Sequence, residues 1–248
     1  MRHITPIDPA LLSPGLAGPW LVGSEGDPGC RIRACRLGAA VGATTDAADR
    51  IYFVVHGETI VASDGRTDRA ATETTIFVPG GTRAGLSSSG GALILAIRAP
   101  SGSNAPSGSS APGDAVKIIP VDLSRFEGTG FAYQTVLDRS HGSAHVRLNN
   151  LRVQPNAGSP DFHIHAFDQF YLILAGEMRI EVGRATYDAG ALSLVHLPAG
   201  IVHRNYNRGP SIERHISLLI PEPPAGAILD YAVTIHEREA EIMAAAPG

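Results

Sequence analysis

Short apolar segments recur along the whole chain, and each one ends at Gly, Pro, Asn or Asp. Examples are IYFVVHG from Ile51, ALILAIRAP from Ala92, FYLILAGE from Phe170 and HISLLIPEP from His215. Apolar runs of this length, separated by turn residues at short intervals, are typical of strands in β-sandwiches and barrels. The pattern therefore predicts an all-β protein. One short helix is predicted at the C-terminus, Leu229 to Ala246, where Glu and Arg alternate with Ile, Met and Ala.

A segment near the middle of the chain has the composition of a linker. Residues 100–113 read PSGSNAPSGSSAPG and consist almost wholly of Pro, Ser, Gly, Ala and Asn. Such a composition cannot bury enough apolar surface to fix a conformation. We therefore predict an N-terminal domain over residues 1–99, a linker over residues 100–115, and a C-terminal domain with a tail over residues 116–248.

The two predicted domains repeat each other. Gly57 aligns with Gly176, and Pro79 aligns with Pro198, both at an offset of 119 residues. Two separate matches at one offset indicate a duplicated β-domain. At this offset four polar residues of the second copy, His163, His165, Gln169 and His203, replace Thr44, Asp46, Arg50 and Ala84 of the first. Because metal-binding side chains occupy only one copy, we expect these four residues to act together.

The spacing of the histidines favours a metal site. Residues two apart on a strand point to the same face, so His163 and His165 project side by side. Gln169 opens the next apolar run, and His203 follows a Pro-Ala-Gly turn. Three imidazoles and an amide oxygen that converge inside a barrel would bind a divalent metal ion with open coordination positions.

These residues resemble the two motifs of the cupin family, G-x5-H-x-H-x3,4-E-x6-G and G-x5-P-x-G-x2-H-x3-N. The matching positions are Gly158, His163, His165, Gln169 and Gly176, and then Gly190, Pro198, Gly200, His203 and Asn207. Two glycine spacings differ in length, and Gln169 replaces the motif's glutamate. The resemblance implies an all-β bicupin, that is, two tandem double-stranded β-helix (jelly-roll) barrels with a short C-terminal helix. Its N-terminal barrel would be metal-free and its C-terminal barrel metal-binding.

The glutamine changes the charge of the expected centre. A glutamate would cancel one positive charge of the metal, whereas Gln169 cancels none, so the ion would be a stronger Lewis acid toward an anionic ligand. Gln169 would either bind the metal directly or hydrogen-bond to a metal-bound water. We propose two catalytic candidates beside the ligands. Tyr171 shares the face of Gln169 and could act as an acid or orient substrate, and His196 could face the cavity or the far side of its strand.

Composition limits the partners. The chain has 248 residues, 44% of them hydrophobic, a net charge of −4 and no basic run, so we expect no nucleic-acid partner. No segment has the roughly 18 apolar residues that a membrane span needs. Prolines interrupt the N-terminus where a signal peptide would be apolar, and Cys30 and Cys35 suit reduced thiols, so we expect a cytoplasmic protein.

We also expect a homodimer, because open cupin sheets usually cover an edge strand with a partner, here through the segment before Trp20 or the C-terminal tail.

The resemblance implies a metal-dependent enzyme. The leading hypothesis is a dioxygenase, an oxidoreductase that binds a small enol, diketone or phenolic substrate to one divalent ion. Fe(II) is favoured, and Zn, Ni, Mn and Cu are alternatives. A second hypothesis is a redox-neutral cupin with zinc, either a polyketide cyclase or an isomerase. A third is a ligand-binding cupin without turnover. Fold alone does not separate the three.

Overall fold

The computed structural model describes residues 3–16, 18–25, 27–39, 42–100 and 115–235, and these contain nineteen strands and three short 3-10 turns but no α-helix. The all-β prediction is therefore confirmed. The first nine strands are β1 Ile4–Pro6, β2 Arg31–Leu37, β3 Arg50–His56, β4 Thr59–Ser63, β5 Arg66–Ala70, β6 Thr74–Val78, β7 Ala84–Ser87, β8 Ala92–Arg98 and β9 Lys117–Pro120. The others are β10 Phe131–Leu137, β11 Arg147–Val153, β12 Gly158–Ile164, β13 Asp168–Ala175, β14 Glu177–Val182, β15 Ala185–Gly190, β16 Ser193–Leu197, β17 His203–Tyr206, β18 Glu213–Ile220 and β19 Tyr231–Ala232. The 3-10 turns are Pro9–Leu11, Leu123–Arg125 and Arg139–His141.

Each half of the chain forms a barrel from two antiparallel sheets. The N-terminal barrel has a five-stranded sheet, β2-β8-β3-β6-β9, and a three-stranded sheet, β5-β4-β7. The C-terminal barrel has a six-stranded sheet, β1-β16-β13-β18-β11-β10, and a five-stranded sheet, β15-β14-β17-β12-β19. In both barrels the larger sheet contains the strands with the longest buried runs, β3 and β6 in the N-terminal barrel and β13 and β18 in the C-terminal barrel.

The sequence repeat marks equivalent turns. Gly57 follows β3 and Gly176 follows β13, with backbone φ angles of 88° and 78°. A Cβ on Gly57 would lie 2.6 Å from the carbonyl oxygen of Gly91, and one on Gly176 would lie 2.9 Å from the Cα of Glu213. Only glycine combines a positive φ with so close an approach of a neighbouring strand. The repeat is therefore a repeat of backbone geometry.

The large sheets of the two barrels pack against each other. Along β13 the side chains of Phe170 and Leu172 enter a core that both barrels share, whereas Tyr171 and Ile173 point into the C-terminal barrel. The N-terminal barrel contributes residues such as Phe53 to the shared core, and both Phe53 and Phe170 are no more than 1% exposed. Both barrels thus depend on one apolar layer.

Two strands lie across the predicted domain boundaries. β1 comes from the N-terminal region but pairs with β16 of the C-terminal barrel, with Ile4 opposite Val195. β9 follows residues 101–114, which lie outside the described residues, and pairs with β6 of the N-terminal barrel. Each barrel is therefore completed by a strand from the other half of the sequence.

The predicted C-terminal helix is wrong where the structure describes it. Tyr231 and Ala232 form β19, which pairs with Ile164 and His163 of β12, and residues 236–248 lie outside the described residues. The edge of β12 offers backbone hydrogen bonds that outweigh a weak local helix preference.

Both terminal segments considered for a subunit contact, β1 and β19, add to sheets of their own chain, and the homodimer stays a prediction. Among the described residues, no helix has the length and apolar character needed to cross a membrane.

Candidate metal centre

Three buried histidines of the C-terminal barrel lie together beside its cavity. His163 on β12 stands directly opposite His203 on β17, and His165 follows β12 immediately. Their ring centroids are 4.4–4.9 Å apart, and no ring is more than 5% exposed. One ligand nitrogen from each ring lies within 4.8 Å of the others. The predicted convergence of the three imidazoles is what the structure contains.

Backbone carbonyls fix the tautomer of each imidazole. The Nδ1 atoms of His163, His165 and His203 lie 2.9, 3.0 and 3.0 Å from the carbonyl oxygens of Asp161, Leu229 and Ile201. A carbonyl oxygen only accepts, so each Nδ1 carries the proton and each Nε2 keeps its lone pair. This second-sphere arrangement is typical of metal-binding histidines.

Two of these lone pairs have nothing to bind within the described residues. The Nε2 atoms of His165 and His203 are buried and have no hydrogen-bond partner there. Leaving a buried polar atom unpaired costs about 1–3 kcal/mol, so such atoms indicate a missing ligand. The donor set therefore fits a divalent metal ion bound by three Nε2 atoms.

Burial keeps the imidazoles neutral. The pKa of His203 is lowered to about 4, mainly by desolvation and to a smaller extent by the neighbouring His163 and His165 rings. Burial also lowers the pKa of His165. Because only a neutral imidazole binds a metal ion, both ligands are ready for binding at neutral pH without losing a proton.

Gln169 lies next to this cluster at the start of β13. The hydroxyl of Tyr171 donates a hydrogen bond to Gln169 Oε1 at 2.8 Å, and Gln169 Nε2 donates to Ser217 Oγ at 3.3 Å. These contacts fix the orientation of the amide and direct its oxygen into the cavity. The oxygen has a second lone pair for a metal ion or a metal-bound water.

Tyr171, the first catalytic candidate, lines the cavity and is 3% exposed. Burial raises the pKa of its phenol well above the usual range. The hydroxyl is therefore protonated and acts as a donor, and it also lies 3.4 Å from Asn205 Oδ1. Asn205 faces inward, as strand alternation from His203 predicts.

His196, the second candidate, is not brought to the centre. Its ring stacks on Phe170 with centroids 4.4 Å apart, and its Nε2 lies 3.8 Å from Asp168 Oδ2. Leu197 and Val195 point into the barrel, so the residue between them points to the opposite face. We therefore correct the prediction and remove His196 from the catalytic candidates.

The cavity beside the histidines has a volume of about 410 Å³, within the usual range for small-molecule sites. Its walls include residues that the motifs did not indicate: Phe131, Tyr133, Arg147, Asn149, Leu151, Phe167, Leu219, Leu229 and Asp230. Several of these lie at alternate positions of β10 and β11, namely Phe131 and Tyr133, then Arg147, Asn149 and Leu151. The sequences of these strands, FAYQTVL and RLNNLRV, do not alternate in polarity, so they contain no signal for the internal face.

The cavity also contains one fixed cation. Arg147 donates to Thr135 Oγ1 at 2.9 Å and to Asn149 Oδ1 at 3.2 Å. In the register of the sheet, Arg147 lies opposite Leu219, which lies opposite Gln169. Two strand spacings, about 10 Å, separate the backbones of Arg147 and Gln169. The wall can therefore contact an anionic or polar group of a molecule bound at the histidines.

A buried pair lies beneath Tyr171. His215 Nδ1 is 2.9 and 3.0 Å from the two carboxylate oxygens of Glu213, and both side chains are no more than 1% exposed. The His215 ring meets the Tyr171 ring edge-on at 4.9 Å. The pair therefore supports the phenol from below, and it does not line the cavity.

The N-terminal barrel has a different set of residues at the equivalent place. Thr44 lies opposite Ala84, as His163 lies opposite His203. The Arg50 guanidinium donates to the Thr44 carbonyl and hydroxyl oxygens at 3.0 Å and to the carbonyl oxygen of Thr82. Among the described residues the three histidines are the only group of three or more His, Cys, Asp or Glu side chains that could hold a metal ion.

Comparison with known proteins identifies the fold. Residues 150–216 match the family model described as "Cupin domain". The Cupin 2 conserved barrel domain protein from Leptotrichia buccalis superposes with a TM-score of 0.65 at 12% identity, over 89% of this chain and 98% of that chain. The match spans both barrels. The chain therefore has a bicupin fold. No curated protein matches its sequence significantly.

Two further solved structures resemble the bicupin. A protein from Pseudomonas aeruginosa, described as glyoxylate-induced, has a TM-score of 0.60 at 15% identity, over 81% of this chain and 78% of that chain. Oxalate decarboxylase from Bacillus subtilis has a TM-score of 0.58 at 13% identity, over 83% of this chain and 71% of that chain. At these identities the likeness concerns the fold of the bicupin and not its reaction.

Proposed function

We propose that the bicupin is a metal-dependent enzyme, a dioxygenase that acts on a small enol, diketone or phenolic substrate in the C-terminal cavity. The observation that carries the proposal is the set of three converging imidazoles, each with Nδ1 on a backbone carbonyl and Nε2 directed to a common point. Three ligands leave open positions for substrate and dioxygen.

One divalent metal ion would be held by His163, His165 and His203, with Gln169 as the fourth candidate. The ion supplies Lewis acidity that stabilises an anionic oxygen of the substrate and, if it is redox-active, a site for dioxygen. Fe(II) is the favoured ion, and Zn, Ni, Mn and Cu are alternatives, since imidazole suits several of them. Mn(II) centres are named for the structurally similar oxalate decarboxylase, which supports testing manganese.

The side chains of the cavity would position the substrate. The apolar wall formed by Phe131, Phe167 and Leu219 suits a planar or aromatic body, and it keeps bulk water away from the open coordination positions. The protonated hydroxyl of Tyr171 fixes the Gln169 amide through a bond of 2.8 Å. The neutral amide leaves the charge of the metal uncancelled, which favours substrates that bind as anions.

The same neutral amide favours a second function, a redox-neutral cyclase or isomerase with zinc. In that reaction the substrate carbonyl would be polarised and a proton would move through the cavity, where the buried phenol of Tyr171 is the donor nearest to Gln169. A bicupin that binds a ligand without turnover is the third function, and oxygen consumption separates it from the first.

The test is elemental analysis of untagged protein, followed by an oxygen electrode with enols, diketones and flavonols. We expect about one equivalent of a redox-active metal, its loss in His163→Ala and His203→Ala, and oxygen uptake with at least one substrate. His196→Ala is the matched control and should retain the metal, because His196 lies on the opposite face of its strand. One equivalent of zinc without oxygen uptake would favour the cyclase or isomerase. No metal after reconstitution would overturn the enzyme proposal.

A further inference from the structure

We propose that the mouth of the N-terminal barrel is a binding site for a compact oxyanion with two negative charges, such as phosphate or a small dicarboxylate. The site is independent of the metal centre and of the function proposed above. Its core is a group of four arginines, Arg31, Arg33, Arg50 and Arg98, which line one small cavity.

Three of these arginines form a row across neighbouring strands. Arg31 on β2 lies directly opposite Arg98 on β8, and Arg98 lies directly opposite Arg50 on β3. Adjacent strands are about 4.8 Å apart, and like charges placed directly opposite each other destabilise a sheet. A row of three cations therefore needs a compensating negative charge.

The carboxylates at the site compensate this charge only in part. Asp46 binds Arg98 with both oxygens, at 2.7 and 2.8 Å, and the arginine lowers the pKa of Asp46. Glu25 lies 3.0 Å from Arg31 Nη1, but its side chain is 82% exposed. Four arginines and two carboxylates line the cavity, which leaves two positive charges in excess.

Buried donors of the arginines have no partner within the described residues. The Nε atoms of Arg31, Arg33 and Arg50 are buried and make no hydrogen bond there, and both Arg31 and Arg50 are 6% exposed. Guanidinium groups are rarely buried without partners, and their planar forks match the oxygens of carboxylates and phosphates. These donors indicate an acceptor that the chain itself does not provide.

The structure already places a carboxylate at this site. Glu25 accepts hydrogen bonds from the indole Nε1 of Trp20 and from Arg31, both at 3.0 Å. The Trp20 ring also stacks with Arg33, whose guanidinium carbon lies 3.9 Å from the ring centroid. Trp20 thus orders the arginines while it donates to an anion, and the exposed Glu25 occupies the position that a ligand oxygen would take.

The dimensions of the cavity limit the ligand. Its volume is about 120 Å³, room for roughly four water molecules at about 30 Å³ each. A phosphate or a short dicarboxylate fits this space, whereas a whole nucleotide is larger than it. The excess of two positive charges matches a dianion.

The position of the site makes it a counterpart of the metal centre. Arg50 stands at the repeat offset of 119 residues from Gln169. Its guanidinium donates to Thr44, the counterpart of His163, and to Thr82, two residues before the counterpart of His203. A permanent organic cation thus lies in the N-terminal barrel at the place that corresponds to the proposed metal centre. Because arginine is always charged, the site needs no metal to attract an anion.

The test is titration calorimetry of the full chain with inorganic phosphate and with malonate, at constant ionic strength maintained with chloride. We expect one binding event per chain for phosphate, malonate or both. Arg31→Gln should weaken it about tenfold or more, because a charge-assisted bond is lost. Glu25→Gln should strengthen binding several-fold, because a competing carboxylate is removed. This second variant changes an exposed side chain, so it tests the proposal even if Arg31→Gln unfolds.

Two controls distinguish this site from other sources of binding. Arg184→Gln, in the exposed turn between β14 and β15 of the C-terminal barrel, removes one positive charge outside the N-terminal barrel and should leave the affinity unchanged. His163→Ala should also retain the binding, which excludes an anion held at the metal centre. Equal affinities in wild type, Arg31→Gln and Glu25→Gln would overturn the proposal, as would loss of binding in His163→Ala or no binding of either anion.

Discussion

At the scale of single residues, we expect Gln169 to determine the charge at the proposed metal centre. Gln169→Glu would place a carboxylate where the amide oxygen now points, and charge attraction should raise the affinity for a divalent ion by at least about tenfold. Competition with a chelator measures this affinity. Gln154→Glu makes the same chemical change at an exposed position and should have no effect. An unchanged affinity in Gln169→Glu would mean that residue 169 does not approach the metal.

The low pKa of His203 predicts how the stability of the metal-free protein depends on pH. This pKa is about 4 in the folded state and 6.5 ordinarily, so as the pH falls the unfolded chain binds a proton at His203 before the folded protein does. The contribution of His203 to the free energy of unfolding is therefore fully present above pH 6.5. As the pH falls toward 4, this contribution decreases by about 3 kcal/mol. Urea unfolding at a series of pH values measures the loss. His203→Gln should lose less stability over this range, and an identical pH dependence in the variant would contradict the assignment.

At the scale of elements, β19 supports the centre. Leu229, just before β19, provides the carbonyl oxygen that holds His165 Nδ1 at 3.0 Å, and Asp230 Oδ1 lies 3.4 Å from the same nitrogen. A chain that ends at Ile228 should lose metal affinity by about tenfold to a hundredfold, the usual effect of removing an outer-sphere partner. A chain that ends at Ile235 keeps β19 and should bind normally. Equal affinities in the two truncations would show that β19 does not orient the ligand.

At the scale of the whole molecule, the shared core predicts a single unfolding transition. Phe170→Ala removes a ring that is 1% exposed between the barrels and should cost about 3–5 kcal/mol. Because the ring contacts both barrels, calorimetry should show one transition that moves as a whole to a lower temperature. Leu123→Ala, at a side chain that is 62% exposed, should leave the transition almost unchanged. Two transitions, of which only one moves, would contradict a common core.

The sequence predicts those features of the structure that depend on the spacing of residues close together in the chain. Strands and turns follow from the apolar runs and the repeated glycines, and the metal centre follows from His163, His165 and His203, because all of them lie beside motif turns. The internal repeat adds evidence that no single motif provides, since it shows that the candidate ligands are present in one copy only.

Features that depend on strand pairing could not be predicted in this way. To predict the position of His196, one must know which face of β16 points into the barrel. The formation of β19 depends on the free edge of β12. The arginine row depends on the register of three strands that are not consecutive in the chain. The path of β1 and β9 between the barrels is also invisible to local patterns, because sheet order is a property of the whole fold.

This exchange of strands has a consequence for the gene as well as for the protein. Recombination at the linker would separate β1 from its partner β16, and β6 from its partner β9. Each product would have an unpaired edge strand and an uncovered apolar face, which are hazards for aggregation. The two halves therefore depend on each other for their edge strands, and deletion of the N-terminal half, which lacks the three candidate ligand histidines, would also damage the half that contains them.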